Sequence, residues 1–161
     1  AIATCHVRTW QVAYRGQLPD DFLDELSSTI DRRTEFWERS IREASERRQH
    51  QLVATDGERL VGFVTFGPRD DEPGDQRAGE LYAIYVDPDH WGGGYGRALF
   101  AAAERGLREA GFSEALLWVL ETNERARRFY EIAGWKQDGG RKTDHRGDVE
   151  LREVRYRRTL R

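Results

Sequence analysis

The chain has 161 residues, enough for one domain of ordinary size with a self-supporting core. It is 38% hydrophobic and 34% charged, and no apolar run approaches the ~20 residues that cross a bilayer, so no membrane partner is expected. Its 26 basic and 29 acidic residues leave a net charge of -3, which argues against a nucleic-acid partner; the lone Cys5 excludes an intramolecular disulfide and fits a reducing, cytoplasmic setting.

The opening segment Ile2 to Tyr14 reads as a helix with a largely apolar surface from Ile2, Cys5, Val7, Trp10 and Val12. Gly16 and Pro19 end it. A second helix follows with Phe22, Leu23, Leu26 and Ile30 on one side. A third, carrying Phe36, Trp37 and Ile41, runs from a cap at Asp31 to about Arg48. From Gln51 the pattern changes to two antiparallel strands, Gln51–Thr55 and Leu60–Phe66, around a tight Asp56-Gly57 turn. Gly67 to Gly79 holds two prolines and several acids and is expected to be an exposed loop. Glu80 to Val86 is a strand, Asp87 to Gly94 a glycine-rich turn, and Gly96 to Ala110 a helix closed by Gly111. Ala115 to Leu120 is a buried strand, Asn123 to Ala133 a short helix ended by Gly134, and Trp135 onward with Val149 to Arg158 a last strand pair. The strand–helix–strand order in the middle implies parallel neighbours joined by a crossover. The fold class is therefore mixed α/β around a single sheet, with residues 1–161 as one domain.

The segment with the most chemical content is Asp87-Pro88-Asp89-His90-Trp91-Gly92-Gly93-Gly94-Tyr95-Gly96-Arg97. A strand ends, glycines turn the chain, and a helix begins. The first amides of that helix lack internal partners and the helix dipole favours an anion, so the turn suits a phosphate or pyrophosphate. It is not a P-loop, because no Lys-Ser/Thr pair follows the glycines. It fits a dinucleotide fingerprint poorly, since Arg97 stands where the third glycine belongs.

Here the sequence resembles the GCN5-related N-acetyltransferase family, whose signature at this junction is Gln/Arg-x-x-Gly-x-Gly/Ala. Trp91-Gly92-Gly93-Gly94-Tyr95-Gly96 matches it, except that Trp91 replaces the Gln or Arg. A second element, Asn123-Glu124-Arg125-Ala126-Arg127-Arg128-Phe129-Tyr130-Glu131-Ile132-Ala133-Gly134-Trp135, resembles the family's Asn-x-x-Ala-x-x-Phe-Tyr-x-x-x-Gly-Phe, at a spacing that leaves room for one helix and one strand.

The resemblance implies a mostly antiparallel sheet flanked by helices, with a parallel strand pair splayed at an acetyl-CoA site. It implies that the amides of Gly92, Gly93, Gly94, Tyr95, Gly96 and Arg97 hold the CoA pyrophosphate. The backbone of Ile84, Tyr85 and Val86 would pair with the pantetheine arm. Asn123 would cap its helix and touch the cofactor, and Tyr130 would be the acid that protonates the departing thiolate. Family members often carry a carboxylate on the strand before the turn, and Glu80 is the candidate base here. Glu80, Tyr82, Ile84 and Val86 alternate onto one face unless a bulge intervenes. The ribosomal-protein-acetylating branch carries a Glu five residues before the matching Asn. Trp118 occupies that position, and Glu121 is more simply a loop residue.

The acceptor pocket would be walled by Trp10, Tyr14, the Arg15–Pro19 loop, Trp37 and the Arg141–Asp148 loop, with His145 bordering it. His6, His50 and His90 are scattered and expected at surfaces or turns, and no metal spacing is present. Asp70, Asp71 and Glu72 are read as a solvated acidic loop. The family pattern opens with a β-strand before its first helix, and none is evident here. The expected activity is transfer of acetyl from acetyl-CoA to a small primary amine in a ternary complex, without a metal. A protein or peptide amine, or a non-catalytic acyl-CoA-binding module, are the alternatives. A homodimer is compatible with the family.

Overall fold

The computed structural model describes residues 1–69 and 77–161. The acidic stretch with Asp70, Asp71 and Glu72 lies outside them. Three helical pieces come first: α1 (Ile2–Ala13), α2 (Asp20–Glu25) and α3 (Ile30–Glu43), the last two joined by a 3-10 turn at Leu26–Thr29. Strands β1 (His50–Asp56), β2 (Arg59–Pro68) and β3 (Ala78–Val86) follow. Then come a 3-10 turn (Pro88–His90), α4 (Tyr95–Glu109), β4 (Glu114–Leu120), α5 (Glu124–Ile132), β5 (Lys136–Arg146) and β6 (Val149–Thr159). The first described element is the helix α1.

Three boundaries differ from expectation, each for a local reason. Asp31 does not cap α3. The 3-10 turn runs straight into the helix, Thr29 holds the N-cap position, and its hydroxyl donates to the Leu26 carbonyl instead. Asp31 lies in the first turn, where its charge still suits the helix dipole. The expected Gly67–Gly79 loop is shorter at both ends, because Gly67 pairs with Glu80 and Pro68 with Gly79, which extends β2 and β3. The Arg141–Asp148 loop is mostly strand, since β5 pairs with β6 through Arg146 and turns only at Gly147 and Asp148.

The strands form one six-stranded sheet in the order β1-β2-β3-β4-β6-β5. Every neighbouring pair is antiparallel except β3 and β4. On one face α4 and α5 pack Leu99, Phe100, Ala103, Leu107 and Tyr130 against Val64, Phe66, Leu81, Leu117, Val119 and Val154. The opposite face carries α1 to α3 through two smaller clusters, one around Val7, Leu23, Leu120 and Leu151 and one around Ala3, Cys5, Trp37 and Phe63. Both faces are thus buried along much of the sheet, as crossover helices require.

The β3–β4 ladder fixes the position of the site. It runs from Ala78 opposite Glu114 only as far as Leu81 opposite Leu117. Beyond that, β3 continues to Val86 paired only with β2, and β4 continues to Leu120 paired only with β6. The sheet is therefore open between the C-terminal halves of its two central strands. A bulge at Tyr82 sits at that opening: Phe66 faces Leu81 while Thr65 faces Ala83, so Tyr82 has no opposite number.

Candidate active site

The loop that closes the open end of the splay is tied down by an acid. Asp87 is buried at 4% exposure and accepts the Asp89 amide at 3.1 Å, capping the Pro88–His90 turn. Arg8 from α1 and Arg59 from β2 each approach its carboxylate to 3.6 Å. Trp91 then donates its indole N–H to the Val86 carbonyl at 2.8 Å, and the Arg125 guanidinium stacks 3.7 Å over its ring. Trp91 thus ties the loop back to β3, and the cation absent from its own position arrives from α5.

Gly92 and Gly94 have φ of +83° and +85°, the left-handed region where a side chain is strained. Gly94 is the N-cap of α4 and offers no side chain to the helix amides. The first α4 amide to find a partner is that of Ala98, on Gly94 O at 3.0 Å. Those of Gly92, Gly94, Tyr95, Gly96 and Arg97 have none among the described residues. Gly93 differs from the expectation in that its amide makes a long bond to His90 O at 3.4 Å. The five free donors at the start of a 15-residue helix form an anion cradle, and its chemistry fits the diphosphate of CoA.

Ile84, Tyr85 and Val86 line the β3 side of the splay. The Val86 carbonyl is already engaged, accepting from Thr9 Oγ1 at 3.2 Å as well as from Trp91. Asn123 caps α5 as expected, its side-chain oxygen accepting the Ala126 amide at 3.1 Å. It also faces the Tyr14 hydroxyl. Tyr130, buried at 7% exposure, packs 5.5 Å from Phe100, and its hydroxyl makes no hydrogen bond among the described residues. Burial drives its pKa well above the usual phenol value, with the Tyr85 hydroxyl adding to the shift. The phenols of Tyr14 and Tyr85 are raised for the same reason, and each acts on its neighbours. Three phenols with raised pKa values, Tyr14 at the C-cap of α1, Tyr85 of β3 and Tyr130 of α5, are therefore near enough to influence one another.

Glu80 is on the other face. The Tyr82 bulge breaks the alternation, so Leu81, Ile84 and Val86 pack toward α4, while Glu80, Ala83 and Tyr85 turn toward α1 and α3. The expectation that Glu80 shares a face with Ile84 and Val86 is corrected by that extra residue. Glu80, still within the paired part of β3 opposite Leu116, and Tyr130 therefore lie on opposite faces of the sheet. Glu153 on β6, opposite Leu120, is a second carboxylate on the α1 side, where it acts on both Tyr14 and Tyr85. Glu121 is a turn residue that pairs with Arg141 at 2.5 Å. His145 is exposed on the β5–β6 hairpin.

Sequence reasoning missed His6. It is not a surface residue but a partly buried ring stacked on Tyr85, with centroids 4.8 Å apart and planes at 13°. Trp10 and Trp37 close around it at 5.6 and 6.1 Å. The signal was the four-residue spacing of His6, Trp10 and Tyr14, which puts all three on one stripe of α1. Among the described residues, no group of three or more His, Cys, Asp or Glu is arranged to hold a metal, and no helix is long and apolar enough to cross a membrane.

Comparison with known proteins matches residues 9–135 to the family model described as the acetyltransferase (GNAT) family. The chain is 36% identical over 124 residues to the uncharacterized N-acetyltransferase YuaI of Bacillus subtilis, an alignment covering 76% of this chain and 66% of that protein. It is 38% identical over 106 residues to a mycothiol acetyltransferase of Geodermatophilus obscurus, covering 65% of this chain and 32% of that one. The chain thus spans just under two thirds of the first relative and about a third of the second. Among solved structures, the PaiA N-acetyltransferase of Thermoplasma acidophilum in complex with coenzyme A superposes with a TM-score of 0.75 at 18% identity, covering 98% of this chain and 89% of that one. The splayed strand pair, the free-amide cradle and the match over residues 9–135 have one consequence: the chain belongs to the acetyltransferase (GNAT) family.

Proposed function

We propose that residues 1–161 form one acetyl-CoA-dependent N-acetyltransferase domain that acetylates the primary amine of a small molecule. The observation that carries this reading is the set of unpartnered amides of Gly92 and of Gly94 through Arg97 at the mouth of an open β3–β4 pair, with the free hydroxyl of Tyr130 on the far side. Acetyl-CoA supplies an acetyl group on a thioester. The amides of Gly92 and of Gly94 through Arg97 hold its diphosphate, and Arg125, stacked on Trp91, adds a positive charge beside them. The edge of β3 at Ile84 and Tyr85 runs along the pantetheine arm as an added strand would, and strand amides near Val86 face the oxygen that gains charge during attack.

A primary amine has a pKa near ~10 and must lose a proton before it can attack. Glu80, on the α1 side, takes that proton directly or through a water. Tyr130, on the α5 side, gives a proton to the thiolate sulfur as the carbon–sulfur bond breaks. Because burial raises its pKa, Tyr130 stays protonated throughout the working pH range. A thiol in water titrates near ~8.5, so transfer from a phenol would be uphill there. The same burial raises the pKa of a thiolate held beside Tyr130 and narrows that gap. The amine adds to one face of the planar thioester carbonyl and the thiolate leaves from the tetrahedral intermediate, so placing Glu80 and Tyr130 on different sides keeps proton removal from the amine apart from proton delivery to sulfur.

The test is calorimetric titration with acetyl-CoA, followed by a thiol-release assay on a panel of amines. Saturable binding and amine-dependent thiol release are expected, with Glu80→Gln removing the acidic limb of the pH–rate profile. No saturation at millimolar acetyl-CoA would overturn the reading. Binding without thiol release would leave a non-catalytic acyl-CoA module.

A further inference from the structure

We infer that the acceptor amine carries a carboxylate as well, held by the Arg33 guanidinium together with the N–H groups of His6 and Trp37 in the aromatic box between α1, α3 and β3. This rests on the acetyltransfer reading above and adds the chemical class of acceptor.

The box is formed by His6 and Trp10 of α1, Trp37 of α3, Phe63 of β2 and Tyr85 of β3. His6 stacks on Tyr85, and Trp37 meets Phe63 edge-on at 5.2 Å. Both ring nitrogens of His6 and the indole nitrogens of Trp10 and Trp37 are buried without a hydrogen-bond partner. A buried polar atom normally has one, so four such atoms around one ring mark a place for a polar group from outside the protein. The Trp10 N–H faces the Tyr85 hydroxyl without closing a bond of normal geometry, which leaves Trp37 and His6 as the unanswered groups.

The box is rich in donors. An indole nitrogen only donates, and a neutral imidazole donates from one nitrogen. Arg33 adds a partly buried guanidinium whose Nε donates to Thr29 Oγ1 at 2.8 Å. No carboxylate lies within ion-pair distance of it among the described residues. Arg33 faces both His6 and Tyr85 closely enough to act on each. The other charged groups that act on the box already have partners: Arg146 pairs with Asp144 at 2.9 Å, and Glu153 with Lys142 at 3.4 Å. Arg33 is therefore the charge left unanswered. Water would satisfy the N–H groups but not neutralise a desolvated guanidinium, whereas a carboxylate does both, with the planar geometry that a guanidinium fork matches. The same molecule would then present its amine beside Tyr85, where β3 has parted from β4.

The experiment has two arms. In the first, N-acetyl amino acids and the matching N-acetyl amino-acid amides are titrated into the protein, with and without CoA, and intrinsic tryptophan fluorescence is read, since Trp10 and Trp37 flank the site. The free carboxylates are expected to bind at least about 10-fold more tightly than the amides. Arg33→Gln should bring that ratio near unity, and Trp37→Phe, which keeps a ring but deletes the N–H, should lower it about 3-fold. The wild-type ratio needs no variant to fold. Equal affinities, or no saturation by either class, would overturn the carboxylate subsite. In the second arm, thiol release is compared for amino acids and simple alkylamines. Faster turnover of alkylamines would sink the subsite while acetyl transfer stood. Carboxylate-selective binding with no thiol release from any amine would sink acetyl transfer and leave the subsite.

Discussion

On the α4 side of the splay, the groups proposed to face a ligand are main-chain amides of one continuous loop, Gly92 and Gly94 through Arg97. On the α1 side they are side chains drawn from α1, α3 and β3, among them His6, Arg33, Trp37 and Glu80. The first is set by φ angles and a helix start, so it tolerates almost any side chain that leaves the backbone alone. The second is set by which rings and charges meet across the sheet, so it changes with each substitution. In the proposed reaction one side would thus hold a constant cofactor and the other a variable acceptor. Tyr130 stands between them, and its loss is the largest change we expect. Tyr130→Phe should lower kcat by about 100-fold or more, the lower bound for a general acid. Acetyl-CoA affinity by calorimetry should stay within about 2-fold, because the phenyl ring still packs on Phe100. A variant with full activity would remove the acid from the mechanism.

Gly94→Val acts on the main-chain side alone. At φ +85° a β-branched residue costs about 2–3 kcal/mol of strain if the loop keeps its shape. If the loop relaxes instead, the amides turn away. In that case acetyl-CoA must restore the strained shape on binding, and it should bind about 30- to 100-fold more weakly by calorimetry. The ratio of carboxylate to carboxamide affinity in the aromatic box should not move. A change in that ratio would mean the two sides are coupled rather than separate.

The contrast between these sides also explains what the sequence made legible. The cradle lies within seven consecutive residues, Trp91 to Arg97, and its glycines are there because the backbone needs them. Asn123 as a cap is equally local, since its partner Ala126 is three residues away. The six strands and one parallel pair among them follow from short-range periodicity and the crossover rule, whereas the place of β6 between β4 and β5 does not. The face that Glu80 occupies did not follow, because it depends on one extra residue at Tyr82, and a bulge has no local signature when no glycine marks it. The box around His6 was hidden for a different reason. Its partners Trp37, Phe63 and Tyr85 lie far from it along the chain, and only the packing of α1 and α3 on one sheet face brings them together.

His6 offers a test of the side-chain region that needs no substrate. Burial, with Arg33 and Arg146 nearby, pulls its pKa down to about 3. The folded state therefore binds fewer protons than the unfolded state between that value and about 6.5. Stability from this group is complete above about 6.5 and is lost as pH falls toward 3. Because the ring is partly exposed, the loss between pH 7 and pH 4.5 should be about 2 kcal/mol rather than the full linkage value. Urea midpoints at those two values measure it. His6→Gln, which cannot titrate, should lose less than half as much. An identical acid response in both proteins would mean that His6 is solvated.

The smallest effect separates two readings of the Trp91–Arg125 stack. A cation–π contact of this kind is worth about 0.5–1 kcal/mol when exposed. If Arg125 only braces Trp91 against α5, Arg125→Ala should weaken acetyl-CoA binding by about 3-fold. That loss should be nearly independent of salt, because the contact is short-range. If Arg125 also lends its charge to the diphosphate, the loss should shrink as salt rises from about 0.05 to about 0.5 M, since screening at about 0.1 M already acts over roughly 10 Å. Dephospho-CoA keeps the diphosphate and lacks the 3′-phosphate, so the same salt response with that ligand would assign the charge to the diphosphate. A salt-independent loss would leave Trp91 as a purely mechanical tie, holding the loop to Val86 while the five amides alone carry the anion.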